Sequence, residues 1–347
     1  MKSVRIAIFV ASSLFAIEAA AQSNLSAETG TALDPAGATV LALAAATANE
    51  GTVNIQVATG QTLTNSVQNV AEGNTDIAAA PFILPFLLSR GAGPYGAVGK
   101  ETGGQLASQL AVLYTYRFGV QALNAFESKG FTGWDAIEGA TIYNGPPRGA
   151  ALSRARALVK LTVGLEEGKG YTGLQVNWGQ AVKTMTDGSA DAHILPLSLP
   201  DGRLGQASAS GGMVVFSMPK AAFETEGAQR FMTSPGSVAY VEPVSETDFG
   251  PNIRIESEDD FFRGSATVGG QIVNVSMDDE TAYALTMALL NNLEDYVSTS
   301  PFLPSAWVGE TDVAKTGMCG AFPVKYHPGA IRAWEEKGYT IPDCAKP

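Results

Sequence analysis

Two short loops carry the side chains best suited to bind a small anion. The first follows residues 53–57, whose alternating apolar and polar side chains predict a β-strand, and it precedes a predicted helix. Threonine hydroxyls can donate or accept hydrogen bonds, and a glycine lets a ligand approach the backbone closely. An ordinary capped turn would have the same composition. We predict ligand contacts from Thr59, Gly60, Gln61 and Thr62.

The second loop contains the arginine with the clearest potential for ligand binding. Residues 145–149 read Gly-Pro-Pro-Arg-Gly and lie between a predicted strand at 141–144 and a predicted helix. A guanidinium group can hold a carboxylate through two parallel hydrogen bonds. We therefore predict that Gly145, Arg148 and Gly149 contact the ligand. The alternative is that Arg148 faces solvent beside Arg154 and Arg156, or pairs with a neighbouring acid.

Three further residues are weaker candidates for contact with a ligand. Phe82 and Ser198 each follow a predicted strand, so they could line the same cleft or simply pack in the interior. Asp34 either caps the first helix or contacts an amine, and we favour the cap.

Repeated strand, loop and helix units would bring these loops together. Residues 53–57, a helix closed by Gly73 and a strand at 76–80 form a βαβ unit, which implies a parallel sheet. Similar units begin at residues 141 and 174. The carboxyl ends of parallel strands meet at one edge of a sheet, where helix N-termini favour carboxylate or phosphate groups.

The later part of the chain is less regular. We predict a strand at residues 212–218 and one amphipathic helix from Asp278 to Val297, with two acids at its positive end. A short helix is predicted between Pro328 and Gly338.

The first 21 residues are typical of a cleavable secretory signal. Lys2 and Arg5 precede an apolar stretch, and a run of alanines ends at Ala21. A membrane anchor is the alternative, but the apolar stretch is shorter than the ~20 residues that span a bilayer. In an oxidising compartment two cysteines usually pair, so we predict export to the periplasm and a disulfide between Cys319 and Cys344.

The composition excludes several classes of protein. The 347 residues carry a formal net charge of -12, which disfavours nucleic acid and anionic membrane surfaces as partners. Two histidines and two cysteines leave little material for a transition-metal site, and we expect no cofactor. At 45% hydrophobic residues the chain can form a real core, and its length suggests two domains.

Residues 53–80 resemble the core motif of the TAXI family, the extracytoplasmic solute receptors of tripartite ATP-independent periplasmic (TRAP) transporters. The similarity includes Thr59-Gly60, a hydroxyl residue at Thr62, and the Gly73 to Ala78 run that contains Asp76. Residues 326–338 also look like the family's ending, and residues 134–139 resemble the run that precedes a strand in the middle of the family.

The resemblance implies an α/β, type II-like periplasmic binding protein with two lobes and a ligand cleft between them. We expect residues 22–118 and 213–347 to form lobe I and residues 119–212 to form lobe II, with crossings near 113–120 and 213–218. It also implies a small organic acid or amino acid as an anionic or zwitterionic ligand, and TRAP membrane subunits, fused or separate, as partners.

Two other functions stay open on the sequence alone. A periplasmic sensor or adaptor would present its ligand-loaded form to a membrane signalling protein. An exported α/β enzyme is the third possibility, but it would need a nucleophile and a base within reach of each other. We interpret His193 instead as a buried histidine in a strand, and His327 as a residue at the start of a helix.

Overall fold

The computed structural model describes residues 23–147, 149–320 and 323–347. The predicted signal segment and Arg148 lie outside the described residues. The strands are β1 (Ser23–Glu28), β2 (Val53–Ala58), β3 (Ile77–Pro81), β4 (Leu110–Phe126), β5 (Thr141–Tyr143), β6 (Thr172–Leu174), β7 (Ala192–Leu197), β8 (Met213–Phe216), β9 (Ser237–Pro243), β10 (Ile253–Glu256), β11 (Phe261–Asn274) and β12 (Lys325–Tyr326).

Helices connect most of these strands. They are α1 (Pro35–Glu50), α2 (Leu63–Glu72), α3 (Ile83–Arg90), α4 (Lys100–Ala107), α5 (Ala150–Val163), α6 (Ala181–Thr186), α7 (Gly202–Ser208), α8 (Lys220–Phe223), α9 (Glu226–Met232), α10 (Asp279–Asn291), α11 (Leu293–Ser298), α12 (Val313–Thr316) and α13 (Pro328–Glu336). None of the helices in the described part of the chain has the length and apolar composition that a membrane crossing requires.

The same strand arrangement occurs twice in the sheet. In the first lobe β1 lies between β2 and β3 and pairs in parallel with both, and β11 pairs antiparallel with β3. In the second lobe β5 lies between β6 and β7 and pairs in parallel with both, and β4 pairs antiparallel with β7. Each lobe is therefore a parallel α/β unit with one antiparallel strand at its side.

The long strands β4 and β11 pair with each other and run from one lobe into the other. Gly119 of β4 sits at the crossing, opposite Thr267, next to a shift in the register of the two strands. Its φ of 150 lies outside the range that other residues favour, and a Cβ there would come within 2.7 Å of the Leu197 carbonyl oxygen. Glycine is thus required where the sheet bends between the lobes.

Within the described ranges, buried side chains form one cluster in the first lobe and two in the second. Residues after 212, which the sequence assigned to lobe I, lie partly elsewhere: Met213, Tyr240 and Phe262 pack with Val120 and Leu197. The two strands that pass between the clusters are β4 and β11. The division at 118/119 and 212/213 into units that move separately stays a prediction.

Helix ends follow the residues that the sequence marks. Asp34 is the N-cap of α1, where its carboxylate accepts from the Gly37 amide, so the favoured interpretation as a cap is confirmed. Gly73 ends α2 in the left-handed conformation, as predicted. The prediction of one helix from 278 to 297 is wrong, because Asn292 has φ -135 and ψ 38 and separates α10 from α11.

The two cysteines form the predicted disulfide. Cys319 and Cys344 are joined, with their Cα atoms 5.5 Å apart, and the bond closes a loop of sequence separation 25 near the C-terminus. Within that loop His327 caps α13 by accepting from the Gly329 amide, which is the helix entry that the sequence indicates.

Burial of His193 makes the stability of the fold depend on pH. The side chain lies in β7, 1% exposed, with its ring edge against Tyr143, and burial lowers its pKa to about 4. The unfolded chain takes up this proton at a pKa of about 6.5, so acid stabilises the unfolded state first. Stability from the neutral histidine is complete above about pH 6.5 and falls as the pH drops toward 4.

We expect the free energy of unfolding to fall by about 2 kcal/mol between about pH 7 and about pH 5 because of His193. Urea unfolding across this range, with wild type and His193→Gln compared, measures that contribution. In the variant, the free energy of unfolding should lose the part of its pH dependence that comes from His193, whatever the variant's stability at neutral pH. Parallel pH profiles for the two proteins would contradict the prediction.

Candidate functional site

The cleft between the lobes is bordered by the segments at the carboxyl ends of β1, β2, β3, β5, β6 and β7. The lining residues, in the order of these strands, are Gly30 and Asp34; Thr62; Pro81; Gly149; Trp178; and Arg203. Three residues of the crossing strands, Phe118, Gln121 and Thr267, form its floor. The lobes thus present equivalent edges of their sheets to one cavity of about 90 Å³, which has room for several water molecules.

Two helix N-termini without side-chain caps open onto this cavity. α2 begins after Thr62 and α5 begins after Gly149, and neither N-cap residue makes a side-chain hydrogen bond to its helix. The first amides of each helix therefore have no partner within the helix, and they carry the positive end of its dipole. Thr62 to Thr64 and Gly149 to Ala151 line the cavity from opposite lobes. An anion between them would be attracted from both sides.

A buried arginine on α5 adds a full positive charge to the same place. Arg154 lines the cleft, is 5% exposed, and donates to the hydroxyls of Ser237 and Ser265 while its guanidinium lies 4.8 Å from the centre of the Phe231 ring. Its Nε is buried without a hydrogen-bond partner, and no salt bridge within the described ranges engages it. Burial lowers the pKa of Arg154 to about 10, so it remains protonated at neutral pH. A buried cation without an acidic partner is costly, and an anionic ligand would relieve that cost.

The second arginine of the cleft is already neutralised. Arg203 donates through Nη2 to Asp201 at 2.6 Å, with side chains only 3% and 0% exposed, and also to the Pro196 carbonyl. Burial opposes its charge, but the carboxylates of Asp201 and Asp34 outweigh burial and raise the pKa of Arg203. Its guanidinium also stands 5.4 Å from the Trp178 ring centre. Arg203 thus belongs to the wall of the cleft and offers little free charge.

The sequence-predicted residues are distributed between the cleft and its surroundings. Thr62 and Gly149 line the cavity, whereas Thr59, Gly60 and Gln61 are exposed and are not among its lining residues. Gly145 is buried in the turn before Gly149, with φ 99.

The remaining predicted residues lie in the interior or outside the described ranges. Phe82 is fully buried behind Pro81, and its amide donates to the Val268 carbonyl. Ser198 is 2% exposed, and its amide and hydroxyl both donate to Asp201. Arg148 is outside the described residues, and its contact with a ligand stays a prediction.

Sequence reasoning missed Arg154, Arg203 and Gln121 as parts of the cleft wall. One signal was available for Arg154. It lies four positions before Leu158 and one before Ala155, both buried, so it shares the apolar face of α5. A charged residue on the buried face of a helix needs a partner, and here the partner is absent from the chain's described acids.

Comparison with known proteins gives a fold and no family. No protein-family model matches the chain, and no curated protein matches its sequence. A protein of Bordetella bronchiseptica RB50 is similar in structure, with a TM-score of 0.53 at 14% identity, over 91% of this chain and 98% of that one. The fold is that of a two-lobed, type II-like periplasmic binding protein. The repeated strand order and the two crossing strands agree with it.

Other similar structures are more distant. The periplasmic nitrate-binding protein of Synechocystis PCC 6803 has a TM-score of 0.46 at 13% identity, over 78% of this chain, which spans 61% of the length of that protein. An extracytoplasmic solute receptor of Bordetella pertussis that binds pyroglutamic acid has a TM-score of 0.44 at 12% identity, over 91% of this chain and 92% of that one. At TM-scores below 0.5, neither resemblance bears on the ligand of this chain.

Proposed function

We propose that this protein is a periplasmic receptor that binds a small organic acid or amino acid in the cleft between its lobes. The observation that carries the proposal is Arg154, a buried cation that lines the cleft with no acidic partner among the described residues. The uncapped N-termini of α2 and α5 support it, because they direct free amides into the same cavity from opposite lobes.

Binding would favour the form in which the lobes are closed. A carboxylate held by Arg154 and α5 from one lobe, and by the first turn of α2 from the other, makes its full set of contacts only when both approach it. A ligand shifts such an equilibrium by its difference in affinity for the two forms. The closed form is then the signal that a membrane partner can recognise.

We propose a TRAP membrane transporter as that partner, because residues 53–80 and 326–338 resemble the TAXI receptors. Uptake into proteoliposomes that contain the membrane subunits should require this protein together with the solute. If uptake is independent of the protein while the solute still binds, the sensor or adaptor function is favoured instead.

A ligand screen tests the binding function directly. Purified mature protein is heated with members of a panel of dicarboxylates, keto acids, monocarboxylates and amino acids, and hits are measured by isothermal titration calorimetry. A ligand at 100 times its dissociation constant stabilises the folded state by about 2.7 kcal/mol, which raises the melting temperature by several degrees. If no member of the panel shifts the melting temperature, the proposed function fails.

A further inference from the structure

The charges of the cleft divide into two groups that share no contact. Arg154 contacts Ser237 of β9, Ser265 of β11 and Phe231 of α9. Arg203 contacts Asp201, Pro196 and Trp178 instead. The first group has a net positive charge, while the second holds one arginine beside two carboxylates, because Asp34 also interacts with Arg203.

Asp34 brings a second carboxyl group to Arg203 where it lines the cavity. This half-buried carboxylate accepts hydrogen bonds from the Gly37 amide at 3.2 Å and the Thr31 hydroxyl at 3.1 Å. Burial raises the pKa of Asp34, and Arg203 and the Gly37 amide oppose that shift. A second carboxylate on a solute would meet a like charge here in a partly desolvated setting, where charges interact more strongly than in water.

The remaining wall is mainly apolar. Its large apolar side chains are Leu63, Ile83, Leu84, Phe118 and Trp178, with prolines 81, 146 and 196 between them, and Gln121 adds a polar side chain. An apolar surface of this kind favours hydrocarbon, at roughly 0.8 kcal/mol for each buried methylene. Among the described residues, the cleft therefore combines one free positive pole, one carboxyl group beside Arg203, and mainly apolar walls.

We infer that the solute carries a single carboxylate on a neutral, mainly apolar body, and that Asp34 excludes dicarboxylates. This inference rests on the proposed function, since it specifies the ligand of the same cleft. The carboxylate lies against Arg154 and between the first turns of α5 and α2. The apolar body lies along the wall formed by Leu63, Ile83 and Phe118, with the Asp34 carboxylate beyond it.

Three matched probes test the inference by isothermal titration calorimetry. 4-Methylpentanoate and glutarate have the same five-carbon chain, but glutarate replaces the apolar end with a second carboxylate. Leucine is 4-methylpentanoate with an added amino group. We expect wild type to bind 4-methylpentanoate at least ~10-fold more tightly than glutarate, and at least as tightly as leucine.

The substitution Asp34→Asn identifies the group that excludes the second carboxylate. Asparagine caps a helix about as well as aspartate, so α1 should keep its start while the negative charge is lost. We expect the preference for 4-methylpentanoate over glutarate to narrow to within ~3-fold, mainly through tighter glutarate binding. An unchanged melting temperature without ligand shows that the fold is intact.

Each other outcome overturns a defined part of the proposal. If glutarate binds as tightly as 4-methylpentanoate, the inference that the solute carries a single carboxylate is wrong. If Asp34→Asn keeps the wild-type preference for 4-methylpentanoate over glutarate, Asp34 does not exclude the second carboxylate. If leucine binds ~10-fold more tightly than 4-methylpentanoate, the inference that the rest of the solute is neutral is wrong, because the site would then recognise the amino group. If none of the three binds while another anion of the wider panel binds in an Arg154-dependent way, this inference fails and the proposed function stands. If no anion binds, both fail.

Discussion

Replacing Arg154 with glutamine should weaken binding of the cleft's anionic solute by about 100-fold or more. Loss of one partner from a buried, hydrogen-bonded charge pair costs 2–5 kcal/mol, and each 1.4 kcal/mol is a factor of ten in affinity. Glutamine keeps much of the length of the side chain but removes the charge that no described acid balances. The measurement is isothermal titration of the best ligand from the screen against both proteins.

Arg156 provides a matched control on the same helix. It lies two residues further along α5, its side chain is 47% exposed, and it forms a salt bridge with Glu167 at 2.6 Å. Arg156→Gln makes the same chemical change away from the cleft lining, so affinity should stay within about twofold, as exposed ion pairs contribute little. Equal losses in the two variants would show a general effect of charge and contradict a specific role for Arg154.

Arg154 also has a structural role, which the experiment must separate from binding. Its hydrogen bonds to Ser237 and Ser265 join α5 to β9 and β11. The melting temperature of the unliganded variant measures that contribution. Loss of affinity in a variant that still unfolds cooperatively identifies the ligand contact, and Arg154→Lys should keep part of the affinity because it keeps the charge.

Local sequence patterns predicted the parallel units well, because each unit is specified by residues close in the chain. Residues 53–57 alternate as a half-buried strand does, Gly73 ends the helix that follows, and the second unit begins at Thr141 as expected. The order of those strands was not predictable in the same way. β1 inserts between β2 and β3, and its sequence, Ser-Asn-Leu-Ser-Ala-Glu, has no strong strand pattern.

The expected crossing near 113–120 lies within β4, but the second crossing strand is β11 and not the predicted 213–218. The identity of β11 depends on partners far away in sequence. β4 is buried along almost its whole length and pairs with β11, some 150 residues later, so it lacks the alternation that marks a half-exposed strand. Part of the candidate site was not predicted, for the same reason. Loop residues such as Thr62 and Gly149 could be placed from local motifs, whereas Arg154 became a candidate only when its lack of an acidic partner was visible in three dimensions.

Removing the negative charge of Asp201 should lower the free energy of unfolding by about 3–5 kcal/mol. Asp201 and Arg203 are a buried pair, and breaking it leaves Arg203 in the interior without its hydrogen-bonded carboxylate, balanced only by its interaction with Asp34. Asp201 also accepts from the amides of Arg203 and Leu204 at the start of α7 and from the amide of Ser198. Asp201→Asn can keep several of these contacts, so its cost reports mainly on the charge.

A double variant separates the charge from the packing. In Asp201→Asn combined with Arg203→Met neither ion remains, so the double variant should be more stable than the sum of the two single losses predicts. Urea unfolding of all four proteins at neutral pH gives the coupling energy. Arg230→Gln is the control for an exposed pair, since Arg230 and Glu226 are 70% and 84% exposed, and it should change stability by less than about 1 kcal/mol.

The result decides what holds the second lobe's face of the cleft in place. If the two single losses simply add, Arg203 and Asp201 act independently, and the wall beside Trp178 is fixed by packing alone. Strong coupling means that the ion pair positions Arg203 against Trp178 and keeps its charge away from the solute. In that case Arg154 remains the main free cation of the described cleft, and affinity for a carboxylate should depend on Arg154 far more than on Arg203.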